Sequence, residues 1–322
     1  MRISPQIVFP CICVALPVAP AAAQHSPLAD YDHTVPFQYQ EEPVEKDNQI
    51  EVAGAGFQSP MGGKVNMLVV RPRGAGPYAA IVYQHGGGQS MPTYLAEAEV
   101  LARAGAVSLI LDVPGSGPGK RTALEDKGAE MRASYAEMAV CFRRAVDYLQ
   151  SLQIVDPSRM AFVGHSYGAI AGSVLVRTER RIKTFVLIGG VARLSRHVSE
   201  TQIDYWIEWR KGMTAGQLAH AVEQIRPIDP DNFVSAPGHG SILVQCGSFD
   251  SVNIEACPAL YSAASNPKEL RWYDTDHGFA DLEATFDRMQ WLQRELRLNA
   301  VEALLNQLWK SPKKRTTAIE LK

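Results

Sequence analysis

Met160-Ala161-Phe162-Val163-Gly164-His165-Ser166-Tyr167-Gly168-Ala169-Ile170-Ala171-Gly172-Ser173-Val174-Leu175-Val176 is the stretch on which the reading turns. A short apolar run, Met160 to Val163, meets Gly164-His165-Ser166-Tyr167-Gly168, and small and apolar residues suited to a packed helix follow. The pattern is Gly-x-Ser-x-Gly between a strand and a helix. A serine hydroxyl is a weak nucleophile and has to stand clear of the backbone, which a sharp, strained turn achieves when the flanking glycines remove bulk. The helix beyond it aims its first backbone N–H groups toward the place where negative charge would develop. The motif is common by chance, so its flanks carry the weight.

The rest of the chain sets bounds on this reading. With 322 residues there is enough chain for one large α/β domain. The apolar share is 46% and the charged share 20%, which places the chain with globular proteins. A formal net charge of −2 argues against a nucleic-acid binder. Arg2, the apolar run Ile7 to Val18 and Ala21-Ala22-Ala23 resemble a secretory signal over residues 1–23, with cleavage after Ala23 and a secreted or periplasmic product. The alternative is a buried N-terminal segment. The run is shorter than the ~20 residues of a membrane helix, so no membrane span is expected in the mature chain. Cys141, Cys246 and Cys257 would remain; Cys246 and Cys257 either pair or stay as buried thiols.

Residues 24–48 read as an extended lead-in. Strands are expected at 49–57 and 64–71, joined by a turn at 61–63, and then at Ala79 to Gln84, Val107 to Leu111, the nucleophile strand, Thr184 to Ile188, Ser241 to Cys246 and Leu270 to Tyr273. Between them lie helical patterns: Thr93 to Ala104, and a long one marked by Met131, Tyr135, Met138, Phe142, Val146 and Leu149. Phe279 to Trp309 reads as a last helix, and 310–322 as a basic solvated tail. Alternation of this kind implies a mostly parallel sheet with helices on both faces, one domain over 49–309. Residues 191–235 are too long for a plain connection and read as an insertion. Its Tyr205, Trp206, Trp209 and Phe233 either line an acyl or aryl pocket or pack onto the core.

An activated serine needs a histidine base, and the base needs a carboxylate to hold its tautomer. Asp250 and His277 each follow an expected strand, at the sheet edge where such sites are built. His165 should point away from substrate, and His197, His220 and His239 lie upstream of Asp250; for the acid, Asp274 and Asp276 are the main rivals but stand too near His277 in sequence, and Asp229 and Asp231, beside prolines, are weaker ones. For the oxyanion, the N–H of Tyr167 and those of Gly86, Gly87 and Gly88, after His85, are the expected donors. His85, Tyr205, Trp206 and Trp209 are the candidate substrate-pocket residues. Gly115 to Lys120 mimics a phosphate loop, but Pro114 and Arg121 stand where glycine and Ser/Thr are required. No metal or cofactor motif is found.

On His85-Gly86-Gly87-Gly88, Gly164-His165-Ser166-Tyr167-Gly168, Asp250 and His277, the chain resembles the α/β-hydrolases over roughly 49 to 300, near the dienelactone-hydrolase and prolyl-oligopeptidase-like branch. The resemblance implies the α/β-hydrolase fold with a helical cap at 191–235 and an esterase acting on a small-molecule ester. Dienelactone hydrolases carry cysteine where this chain has Ser166, and prolyl oligopeptidases carry a propeller for which the chain has no room. Peptidase, amidase or acyltransferase activity with the same three side chains, or a binding role on an inactive scaffold, are the alternatives.

Overall fold

A computed structural model describes residues 30–113, 126–238 and 240–310. The expected signal segment, the stretch with Gly115 to Lys120, His239 and residues 311–322 of the expected basic tail lie outside the described residues.

Nine strands form one sheet: β1 (Gln40–Lys46), β2 (Ile50–Gln58), β3 (Lys64–Pro72), β4 (Tyr78–Gln84), β5 (Ala106–Asp112), β6 (Val155–His165), β7 (Ile182–Ile188), β8 (Ser241–Gly247) and β9 (Lys268–Tyr273). Their order is β1-β2-β3-β5-β4-β6-β7-β8-β9. The first three pair antiparallel, and β3 joins β5 antiparallel. From β5 to β9 every pairing is parallel. In β4, Ala80 and Val82 enter one buried cluster while Ala79, Ile81 and Tyr83 enter the other. Side chains alternate between two covered faces, so a central strand reads as an unbroken apolar run.

Helices α1 (Leu95–Arg103), α9 (Leu282–Leu296) and α10 (Val301–Lys310) cover one face. The other is covered by α2 (Lys127–Ser151), α3 (Tyr167–Thr178) and α8 (Ala256–Ala263). The spaced apolar residues of α2 face inward: Tyr135, Met138, Phe142, Val146 and Leu149 are all buried. Between β7 and β8 run α4 (Leu194–Glu200), α5 (Asp204–Arg210), α6 (Ala215–Ile225) and the short α7 (Asp231–Val234). Helix α6 starts at a capping box, Thr214 with Gln217. It crosses α2 so closely that a Cβ on Gly128 would lie 2.5 Å from the Ala221 carbonyl oxygen.

Two expectations change. The lead-in is not all irregular, because Gln40–Lys46 pairs with β2 as an edge strand, with a bulge between Pro43 and Glu45. The last helix is two helices: Arg297 adopts a left-handed conformation (φ 54°), which ends α9, and Asn299 N–H donates to the Ala104 carbonyl before α10 begins. Helix α9 also starts later than Phe279, at the Asp281 cap, which accepts from Ala284 N–H at 2.7 Å. No described helix is long and apolar enough to cross a membrane.

Candidate active site

Ser166 sits between the end of β6 and the first residue of α3, with φ 50° and ψ −109°, a backbone state that residues other than glycine rarely hold. Its own N–H donates to the Ile188 carbonyl at 2.7 Å, and its carbonyl accepts from Ile170 at 3.0 Å, so both neighbouring elements hold the turn. The two motif glycines answer to space. A Cβ on Gly164 would lie 2.5 Å from the Gly168 carbonyl oxygen, and one on Gly168 would lie 2.5 Å from that of Gln84. Strand, turn and helix therefore touch backbone to backbone, which any side chain would prevent.

His277 lies in the loop between β9 and α9. Its Nε2 is 2.8 Å from Ser166 Oγ, and its Nδ1 is 2.9 Å from Asp250 Oδ2. Asp250, in the loop after β8, is 1% exposed. Its Oδ1 accepts from the Val252 and Asn253 backbone N–H groups at 2.9 Å each. Burial pushes the Asp250 carboxyl up, but the hydrogen bond and charge of His277 and the two amides outweigh it, so the net shift is downward. Gly189 (φ 55°) closes the floor: a Cβ there would be 3.5 Å from both Asp250 Oδ2 and His277 Cε1. Asn253 donates through its side chain to the Gly189 carbonyl. The rival acids are engaged elsewhere or face solvent. Asp229 accepts from Ser195 N at 2.7 Å and from its hydroxyl, Asp231 pairs with Arg193 at 2.7 Å, and Asp274 and Asp276 are exposed.

After β4 the glycines turn outward. Gly87 and Gly88 are exposed, and added Cβ atoms there would meet nothing within 4 Å. Gly86 is different: it is buried, and its N–H donates to Gln89 Oε1 at 2.9 Å. His85 does not line an open pocket. It is 2% exposed, with Nδ1 2.9 Å from the Gly86 carbonyl oxygen, so it braces the loop from within. Tyr167 begins α3; its hydroxyl is 2.8 Å from Ser134 Oγ, its ring packs 4.7 Å from Tyr135, and burial pushes its phenol up to about 12.

In the insertion, Trp206 and Trp209 are half-buried and pack against the core, as the packing alternative expects, while Tyr205 is 65% exposed. Trp206 stands 6.0 Å from His197 and 4.7 Å from Tyr205, edge to face. Burial, with the charge of His277 behind it, lowers His197 to about 4. Next to the acid, a cleft of about 800 Å³ opens between α4 and the 251–263 segment, lined by His197, Ser251, Val252 and Ala256 among others. Cys246 and Cys257 form a disulfide, and Asp250 lies inside the loop they close.

Residues 92–296 match the model of the prolyl oligopeptidase family, Peptidase_S9. The chain belongs to this family. Like the family, it is a hydrolase of the serine type, on an α/β-hydrolase fold. An acetyl xylan esterase from Paenibacillus sp. R4 superposes with a TM-score of 0.66 at 19% identity, over 81% of this chain and 90% of that one. Acetyl xylan esterase 1 from Thermoanaerobacterium sp. JW/SL YS485 gives 0.65 at 15%, over 83% and 90%. The acylaminoacyl peptidase of Pyrococcus horikoshii gives 0.60 at 17%, over 81% of this chain and 45% of the peptidase. At these identities the likeness is one of fold. A search of curated proteins finds no significant match.

Proposed function

We propose that this serine hydrolase cleaves carboxylic esters of small molecules through an acyl-enzyme intermediate. The observation that carries the reading is the continuous chain of contacts from Ser166 Oγ to His277 Nε2 at 2.8 Å and from His277 Nδ1 to Asp250 at 2.9 Å. Ser166 attacks the carbonyl carbon while His277 takes its proton; Asp250 holds the imidazole and stabilises its cation. The oxyanion is received by the N–H of Tyr167, at the positive end of α3, and by the glycine loop through Gly87 and Gly88, since the Gly86 N–H is held by Gln89. His277 returns the proton to the leaving alcohol, and water repeats the sequence in reverse.

An ester is favoured because the two acetyl xylan esterases superpose with TM-scores of 0.66 and 0.65, against 0.60 for the acylaminoacyl peptidase. The family match supports the second reading, a peptide substrate. The 191–235 helices act in this proposal as a cap, with Tyr205 as the aromatic turned outward toward an incoming acyl or aryl group. Export to an oxidising compartment is supported by the Cys246–Cys257 disulfide and by the signal-like start of the sequence. Turnover of p-nitrophenyl esters of increasing acyl length, measured beside prolyl and alanyl p-nitroanilides, tests the choice. A kcat/KM for the anilides above that for every ester would refute the ester reading.

A further inference from the structure

The residue directly before the nucleophile, at the end of β6, carries contacts that the reaction described above does not use. His165 is buried, with its ring 5.1 Å from that of His277 and 5.6 Å from Phe279. Its Nε2 lies 2.7 Å from the main-chain carbonyl oxygen of His277. Its Nδ1 lies 2.9 Å from Gln89 Oε1, the same oxygen that accepts from Gly86 N–H at 2.9 Å. The fit is tight enough to require glycine at 86, since a Cβ there would stand 2.6 Å from His165 Nδ1. One imidazole thus ties the backbone of the base loop to the head of the glycine loop, next to Ser166 itself.

We propose that His165 and Gln89 form a positioning pair that fixes the His277 loop and the 86–88 loop relative to Ser166 and governs where the Gly86 N–H points. The proposal rests on the serine-hydrolase reading above. Its logic is one of donors and acceptors. The His277 carbonyl can only accept, so Nε2 carries the proton. Burial, with the charge of His277 beside it, lowers His165 to about 3, so at neutral pH Nδ1 is bare and must itself accept. The Gln89 amide meets that need when its NH₂ end faces the ring, and a half-turn of the amide keeps its shape. Turned so, the NH₂ also faces the Gly86 N–H, donor against donor, and Gly86 has to swing its N–H away from Gln89. With the oxygen facing the ring, Gly86 is held back and Nδ1 needs a proton. The pair acts through its neighbours and touches no substrate.

The test measures kcat and KM on a p-nitrophenyl ester for the wild type, Gln89→Met, His165→Gln and the double variant, with unfolding midpoints and Ser166→Ala alongside. Gln89 is only half-buried, so Gln89→Met keeps the wild-type midpoint. Its kcat falls on the order of tenfold to a hundredfold, as small misplacements of reacting groups do, with KM within about twofold. The double variant is no slower than the slower single, because the two residues act as one unit. Wild-type kcat in Gln89→Met, or losses that multiply in the double variant, overturn the proposal. A wild type no faster than Ser166→Ala removes the hydrolase reading itself, and the pair's role with it.

Discussion

Replacing Asp250 with Asn leaves the side chain's shape almost unchanged and reverses one hydrogen bond. Oδ1 of Asp250 receives two backbone N–H groups at 2.9 Å, from Val252 and Asn253, while Oδ2 faces His277 Nδ1. An amide in that place must put its oxygen toward the two backbone donors, which leaves its NH₂ pointing at Nδ1. The imidazole then has to accept at Nδ1 and carry its proton on Nε2, the atom 2.8 Å from Ser166 Oγ. A protonated Nε2 cannot take the serine proton. The equivalent exchange in a Ser-His-Asp protease lowers kcat by about 10⁴, which is about 5 kcal/mol of barrier. Because two backbone donors fix the amide, no rotation rescues the tautomer, and the full loss is expected here. Steady-state hydrolysis of p-nitrophenyl acetate near neutral pH, with circular dichroism to verify the fold, reads it directly. A loss below about tenfold would show that Asp250 does not set the tautomer. Stability should change in a matching way. The folded pKa of Asp250 is depressed, so its contribution is present above the unfolded value of about 3.9 and is lost as pH falls through the folded pKa. The acid limb of the stability profile should therefore be shallower in Asp250→Asn.

Other consequences lie in the scaffold around the site. A Cβ on Gly172 would fall 2.0 Å from Phe162 Cε1, inside the contact of α3 with β6, so Gly172→Ala should cost about 1–3 kcal/mol in urea unfolding and lower kcat by tilting the helix that carries the elbow. Glu97 and Arg288 form a buried pair at 2.7 Å with Tyr83 donating to the same carboxylate, so Glu97→Ala should cost about 3–5 kcal/mol. Arg196→Ala, which breaks an exposed pair with Glu200, should change stability by less than about 1 kcal/mol in the same assay. Reducing Cys246–Cys257 opens a short loop with a sequence separation of 11, and loop-closure entropy puts its contribution at about 3 kcal/mol. Since Asp250 lies within that loop, thiol treatment should lower kcat as well as the unfolding midpoint; an unchanged kcat in fully reduced protein would refute this.

The parallel half of the sheet was legible because burial on both faces leaves mostly apolar runs, as in Ala79 to Tyr83 ahead of the buried Gln84. The edge strand Gln40–Lys46 was not: edges are protected by charge and proline, and Glu41, Glu42 and Pro43 look like a loop until β2 pairs with them. Nothing at Arg297 marks a helix end, since neither glycine nor proline stands there; the break comes from the left-handed turn and the Asn299 contact with Ala104. Spacing of Cys246 and Cys257 fits a bridge or two thiols equally well, and only the approach of α8 to β8 decides. Ser166, His277 and Asp250 carried a readable signal because each follows a strand at one edge of the sheet. Gln89, Asn253 and Gly189 carried none, since their parts arise from contacts between loops far apart in the chain. His165 shows the limit well: its position in the motif was plain, and its bond to the His277 carbonyl was not.

Intact-mass spectrometry with peptide mapping after treatment with a fluorophosphonate bears most directly on Ser166 as the nucleophile. One adduct per chain, located on Ser166, with ester turnover lost in proportion to labelling, is the predicted result, and Ser166→Ala should be unlabelled with kcat down by a factor on the order of 10⁶. Labelling at another residue, or ester hydrolysis that survives in folded Ser166→Ala, would contradict it.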